Sequence, residues 1–353
     1  MRTRTGWGAA AAVCGLLVSG CGGGGDGAGG SAGDGAAAGF PVRVTDCEGN
    51  ATSFAAAPGK IVTSNAAALE LLLRLGAGDR VTGTGFPPGK GTLPGALGKR
   101  ADDVKVLSRS VIPKEKLLGS GADLYIDSFA SMGGMGGGMG DAPTPEEYKA
   151  VGMKHIYLKS TACAQDREGP VTDLSAVERD ITALGAVTGN RSTAAELVDG
   201  MRTKLASVRA AVRGVPERKR PTYFFFDYDA GTGTPTAVCN RQIAHAVITL
   251  AGARNVFASC DGAFKQVGWE DVVSKNPDWI QLGVRNRGSA EANEKAFDEA
   301  RKWLENNPAT KGLRAVKKGR FLRIGSEATT IAGVSNADTV VRIARTLHPG
   351  KVR

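Results

Sequence analysis

Histidine is scarce in this chain of 353 residues: His155, His245 and His348 stand in separate predicted elements. A protein-held metal ion needs several imidazoles or carboxylates converging on one point. No resident metal is expected here, and no cofactor. No G-x-S-x-G, H-E-x-x-H or Cys–His motif occurs, so the familiar hydrolase and protease sets are missing. Gly85 to Thr92 imitates a phosphate loop and fails at two places. Gly91 follows Lys90 where Ser or Thr is needed, and Thr84 stands where the first Gly should be. An enzyme is therefore not expected. A Lys/Arg-dense tail is missing too, although 45 Lys+Arg against 35 Asp+Glu leave a formal charge of +10. Positive charge spread this thinly argues against nucleic acid. It fits an anionic small ligand or an anionic membrane surface.

What is present begins with a targeting signal. Arg2 and Arg4 precede a short apolar run, Gly8 to Val18, too short for a permanent span. Val18-Ser19-Gly20-Cys21 then offers small residues before a Cys, as lipoprotein processing and diacylglycerol attachment at Cys21 require. Gly22 to Gly39 holds 10 Gly with Ala, Ser and Asp and reads as a flexible tether. Residues 1–20 are expected to be a lipoprotein signal peptide and 21–40 the tether. Removing Arg2 and Arg4 leaves +10 − 2 = +8. The protein is expected on the outer face of the cell membrane, held by lipid, with no later transmembrane stretch.

Hydrophobic residues make up 42% of the chain, enough for cores. Short strands alternate with helices from Val42 to Leu158: a hairpin, then strands at Ile61–Ser64, Val81–Thr82, Val104–Val106, Leu124–Ile126 and Ile156–Leu158. Asn65 is a cap for a helix ending near Gly76, and Thr144 starts another. From Thr172 to Arg213 no strand pattern occurs. Asp173–Leu184 reads as a helix, and Thr193–Glu196 as a capping box opening a second one. That helix, about 20 residues long, would run roughly 30 Å. Alternation resumes at Tyr223–Phe226 and continues to a last helix, Ala337–Leu347. The fold expected is α/β: two Rossmann-like lobes, 41–170 and 215–353, joined by a helical connector, 171–214.

With Cys14 in the signal and Cys21 lipidated, Cys47, Cys163, Cys239 and Cys260 remain. An even number outside the cytoplasm suggests two disulfides, and four Cys allow three connectivities. A helix leaves Cys239 near Gln242 and the chain returns near Val256-Phe257, so Cys239–Cys260 is the expected pair. Cys47–Cys163 follows by elimination.

In open α/β sheets ligands sit beyond the carboxyl ends of strands. That nominates Ser64, Asn65, Phe86, Ser128 and Phe129 in the first lobe. In the second it nominates Tyr228, Asp229, Arg241, Trp269, Arg285, Arg287 and Glu327. Aromatic faces would pack a bulky ligand and Arg would pair with its acidic groups. The loop Ser131 to Gly140 carries three Met on a Gly-rich chain, a soft-ligand set or a mobile cover. A short pattern also occurs twice. Glu115 lies eight residues before Asp123, and Glu270 eight before Asp278, each followed by two apolar residues and then a strand.

The chain resembles class III substrate-binding lipoproteins of ABC importers, the Fe(III)-siderophore/cobalamin type. The resemblance rests on Asp46-Cys47, Ile61–Ser64, Leu69–Arg80, Ala251–Phe257 and Trp269–Ile280. Ser160–Cys163 and Glu305–Ala309 are similar to actinobacterial members. Gly121-Ala122-Asp123, where the family usually has Lys-Pro-Asp, is a departure. The resemblance implies a monomer that delivers a bulky ligand to an ABC permease, an Fe(III)-siderophore first. Cobalamin, haem or a deazaflavin-cofactor precursor are alternatives, and a cell-surface α/β enzyme is a more distant one. It also implies that Glu115 and Glu270 dock on permease Arg.

Overall fold

The computed structural model describes residues 39–129, 142–164 and 168–352. The expectations at Cys21, at the signal and most of the tether, and at the Met-rich loop lie outside the described residues. Residues 36–353 form one compact unit.

The first lobe opens with a hairpin, β1 (Val42–Thr45) against β2 (Ala51–Phe54). Its turn is tied by the Asp46 carboxylate, which accepts the Glu48 and Asn50 amides at 3.0 and 2.8 Å. There follow β3 (Ile61–Thr63), α1 (Ala66–Arg74), β4 (Val81–Thr84), α2 (Gly95–Asp102) and α3 (Lys114–Leu118). β5 (Leu124–Asp127), α4 (Pro145–Ala150), β6 (Lys154–Tyr157) and α5 (Lys159–Ala162) complete the lobe. Asn65 caps α1 through its side-chain oxygen, and Gly76, at φ +79°, turns the chain out of it. Thr144 and Glu147 make a full capping box on α4.

Two expectations are corrected, and one helix has no counterpart among them. Val104–Val106 is not a strand. Only Val106 bridges to Thr84; Val104 and Leu107 on either side are buried, but the pairing does not extend beyond that one bridge. α2 was not anticipated, because it buries only Ala101 and shows no apolar stripe. The capping box at Thr193 is not an N-terminus, since the helix already starts at Arg191.

The connector is α6 (Ser175–Val187) and α7 (Arg191–Val212). α7 has 22 residues, roughly 33 Å at 1.5 Å per residue. Ala194, Val198, Met201, Val208 and Val212 form its buried stripe.

The second lobe comprises β7 (Thr222–Asp227), β8 (Thr236–Val238), α8 (Ile243–Leu250), β9 (Arg254–Asn255), β10 (Phe264–Gln266) and α9 (Trp269–Lys275). It continues with β11 (Trp279–Gly283), α10 (Ala290–Asn306), α11 (Arg314–Lys317), β12 (Phe321–Arg323), α12 (Ser326–Thr330) and α13 (Asn336–Leu347). The two main sheets run β4-β3-β5-β6 and β9-β7-β11-β12, every pair parallel. Within each sheet the strands stand in the order second, first, third, fourth, so the two lobes repeat one topology. The run Tyr223–Phe226 is fully buried, as a strand covered on both faces must be. One apolar cluster joins Leu69 and Leu72 of the first lobe to Met201 of α7 and to Val247 and Ile343 of the second lobe. That shared core ties both lobes to the connector.

The repeated Glu–Asp pattern has a structural half. The Asp123 carboxylate accepts the amides of Gly59 and Lys60 at 2.8 and 3.0 Å, just before β3. Asp278 accepts the amide and hydroxyl of Thr222, at the start of β7, at 2.9 and 2.8 Å. Each Asp thus clips the head of the first strand of its lobe's main sheet to the third strand of that sheet. Disulfides join Cys47 to Cys163 and Cys239 to Cys260. Among the described residues no helix is long and apolar enough to cross a membrane.

Candidate functional site: the cleft between the lobes

The carboxyl ends of β3, β4 and β5 bring together the first lobe's nominated residues. Ser64 follows β3, and its hydroxyl accepts the Ser128 amide at 3.0 Å. Asn65 spends its side-chain oxygen on the α1 cap. Phe86 follows β4 at φ +33°, a conformation that costs a residue with a Cβ on the order of 1–3 kcal/mol. Its ring, 36% exposed, meets Phe129 edge-on with centroids 5.6 Å apart. Two polar atoms are left over here: Asn65 Nδ2 and Ser128 Oγ are buried, with no hydrogen-bond partner among the described residues. Such atoms are costly unless something bonds them.

The second lobe presents charge. Asp227 ends β7, and Ser326 Oγ donates to it at 3.4 Å. Asp229 accepts the Arg285 amide at 2.6 Å and pairs with the Arg287 guanidinium. Glu327 accepts the Asn286 amide at 2.9 Å. Burial pushes the Asp227 and Glu327 carboxyls above the usual carboxylate range, against the pull of Arg285. Arg285 keeps an exposed side chain within electrostatic reach of both. Arg287 is committed to Asp229.

The two walls touch. The Lys90 amide donates to Gly288 O at 2.7 Å and the Ala290 amide to Lys90 O at 3.0 Å, a parallel bridge from one lobe to the other. Asn286 Nδ2 donates to Pro87 O at 3.1 Å. A side chain at Gly89 would collide with the Asn286 amide and with Thr92. The loops after Phe86 and after Arg285 therefore meet edge to edge.

Three nominated residues do not join these walls. Trp269 is buried at 8% exposure among Phe224, Phe226 and Trp303, and its indole N–H donates to Thr232 O at 2.7 Å. Tyr228 packs edge-on to Phe226 against the same core. Arg241 forks onto Asp261. The sequence reading missed Asp227, Asn286 and Ser326. Asp227 was visible as the acid ending an aromatic strand, whereas Asn286 and Ser326 carry no pattern. Glu115 opens α3 and Glu270 opens α9, both exposed. α3 precedes β5 and α9 precedes β11, the third strand in chain order of each main sheet, so the two carboxylates occupy equivalent positions. The Glu270 carboxylate lies where a Cβ at Gly268 would stand. Among the described residues no three His, Cys, Asp or Glu side chains group so as to hold a metal ion.

Comparison with known proteins bears on this geometry. A periplasmic binding protein from Veillonella parvula is 26% identical in sequence. It superposes with a TM-score of 0.73 over 89% of this chain and 100% of its own. A structure from Saccharomonospora viridis described as an ABC-type Fe3+-hydroxamate transport system gives a TM-score of 0.69. At 23% identity over 87% of this chain and 99% of its own, it is a likeness of fold. A protein of Halobacterium salinarum named cobalamin-binding protein is 25% identical over 248 residues, 69% of this chain. The match spans only 59% of that relative's length. Residues 61–328, most of both lobes and the whole connector, match the family described as periplasmic binding protein, and the chain belongs to that family.

Proposed function

We propose that the chain is an extracytoplasmic solute-binding lipoprotein, anchored through Cys21, that carries a bulky ligand to an ABC import permease. It binds and releases rather than transforms. The observation that carries this reading is the pair of facing walls, Phe86–Phe129 on one lobe and Asp227, Arg285 and Glu327 on the other, bridged at Lys90. A bulky, partly apolar ligand with oxygen acceptors fits an aromatic pair on one wall and an exposed guanidinium on the other. An Fe(III)-siderophore, a compact octahedral chelate with oxygen donors at its surface, has that chemistry. Cobalamin is the second reading, favoured by the name of the Halobacterium relative.

A thermal-shift panel of ferric trihydroxamate, cobalamin, haem and a deazaflavin precursor tests the ligand class. One member should raise the melting temperature, and no shift with any of them would refute the reading. The permease half rests on Glu115 and Glu270. One acidic contact per lobe, set by lobe-to-lobe distance, would let a permease sense closure. Glu115→Ala with Glu270→Ala should keep ligand affinity and abolish uptake and ATPase stimulation in reconstituted vesicles. Normal transport by the double variant would remove the docking role.

A further inference from the structure

Away from the cleft, a groove of about 550 Å3 runs between β1, α6 and α7. None of these elements supplies a cleft residue. Four arginines line it: Arg43, Arg179, Arg191 and Arg202. Arg202 is bound to Glu178, the groove's one carboxylate, through Nε and Nη2 at 3.0 and 2.8 Å. Among the described residues, Arg43, Arg179 and Arg191 have no carboxylate partner within ion-pair distance. Arg179 donates to Ser175 Oγ at 3.3 Å, and Arg191 to Gly39 O at 3.1 Å. Arg202 also lies 3.8 Å from Asp199, so the groove's positive charge rests on the three arginines without a carboxylate partner, in a concave, solvent-open site. Guanidinium groups held this way match phosphate oxygens.

Its place in the chain says which phosphate. Arg191 holds Gly39, where the Gly-rich segment from Cys21 enters the body. Only eighteen residues of sequence separate the two (39 − 21 = 18). A lipid on Cys21 would tether the body to a bilayer by the chain end that Arg191 holds.

We propose that the groove is a docking surface for the anionic headgroups of a phospholipid membrane, on which the body rests when it is not engaged with a permease. The proposal builds on the lipid-anchor reading of Cys21. Its vesicle assay does not depend on that reading, because residues 36–353 form a compact unit that can be prepared without the Cys.

The probe is co-sedimentation of the 36–353 body with vesicles of phosphatidylglycerol and phosphatidylcholine at low salt. Binding should appear with the mixed vesicles, vanish with phosphatidylcholine alone and fade as salt rises. Arg43→Gln with Arg179→Gln should weaken partitioning about 25-fold, about fivefold for each arginine. Lys311→Gln with Lys317→Gln removes the same charge from the second lobe and should change it less than twofold. Both substituted pairs are exposed, and circular dichroism checks that each variant folds. Equal losses in the two double variants would reduce the effect to diffuse charge and overturn the proposal. So would undiminished binding by the arginine variant, or protection of the groove by inorganic phosphate without any vesicle binding. Mass spectrometry of Cys21 from cells reports separately on the anchor: an unlipidated Cys21 would refute that reading and leave the vesicle result standing.

Discussion

Trp269 separates a core role from a ligand-binding one. Its ring lies within 6.3 Å of the Phe224 centroid, 5.4 Å of Phe226 and 5.3 Å of Trp303, and only 8% of the residue is exposed. Trp269→Ala removes all three contacts and opens a cavity that Val272, Leu282 and Leu304 around it cannot fill. The cost expected for a buried Trp→Ala is about 3–5 kcal/mol. For a domain of this size that lowers the melting temperature by on the order of 10 °C. Trp269→Phe keeps an aromatic plug but leaves Thr232 O without its donor, costing about 1–2 kcal/mol. Thermal melts with and without ligand read both variants. In each, ligand affinity should stay near wild type once the fold is intact. A Trp269→Ala variant that melts normally and loses ligand would refute the reasoning and return the ring to the cleft.

The remaining expectations concern crosslinks and protons. Cys47–Cys163 closes a loop of 116 residues and Cys239–Cys260 one of 21. Loop entropy then assigns them about 5 and about 3.4 kcal/mol. Urea unfolding should show Cys47→Ala/Cys163→Ala as the more destabilised pair by about 1.5 kcal/mol, and the reverse order would contradict this. The Glu327 and Asp227 carboxyls sit above their unfolded values because of burial. The stability they permit is therefore full below about pH 4 and is lost as pH rises through the raised values. Glu327→Gln keeps an acceptor for the Asn286 amide. It should stabilise the fold at pH 7 and gain nothing at pH 4, measured by chemical denaturation at both. An equal effect at the two pH values would show that Glu327 is not desolvated.

How much of this was readable from residues alone differs between lobe and cleft. Alternation of Val/Ile/Phe runs with helix patterns gave both parallel sheets, because a strand buried on two faces must be continuously apolar, as Tyr223–Phe226 is. The capped helix at Asn65 and the helix start at Thr144 are legible because the hydrogen bonds of a helix N-terminus are local. Thr193 was misread because a Thr–Glu spacing inside a helix looks the same as one at its start. The antiparallel β8–β10 pair, whose strand Phe264–Gln266 is wholly exposed, shows no alternation to detect. The strand-end rule reached Phe86, Phe129, Arg285 and Glu327. It could not distinguish Trp269, which opens a helix and turns into the core, from a residue facing the gap. The bridge at Lys90 and Ser289 is backbone pairing and depends on no side-chain pattern.

The central claim is that a ligand is held between the two walls. Calorimetric titration of the chosen ferric trihydroxamate into the wild-type chain and into Arg285→Ala tests it most directly. Arg285 uses its amide, not its guanidinium, to hold Asp229, so the variant keeps the wall in place. The account predicts one site per chain in the wild type, and an affinity loss of about 1–3 kcal/mol in the variant as a charged hydrogen bond disappears. Equal affinity in the two folded proteins would contradict a ligand seated against Arg285.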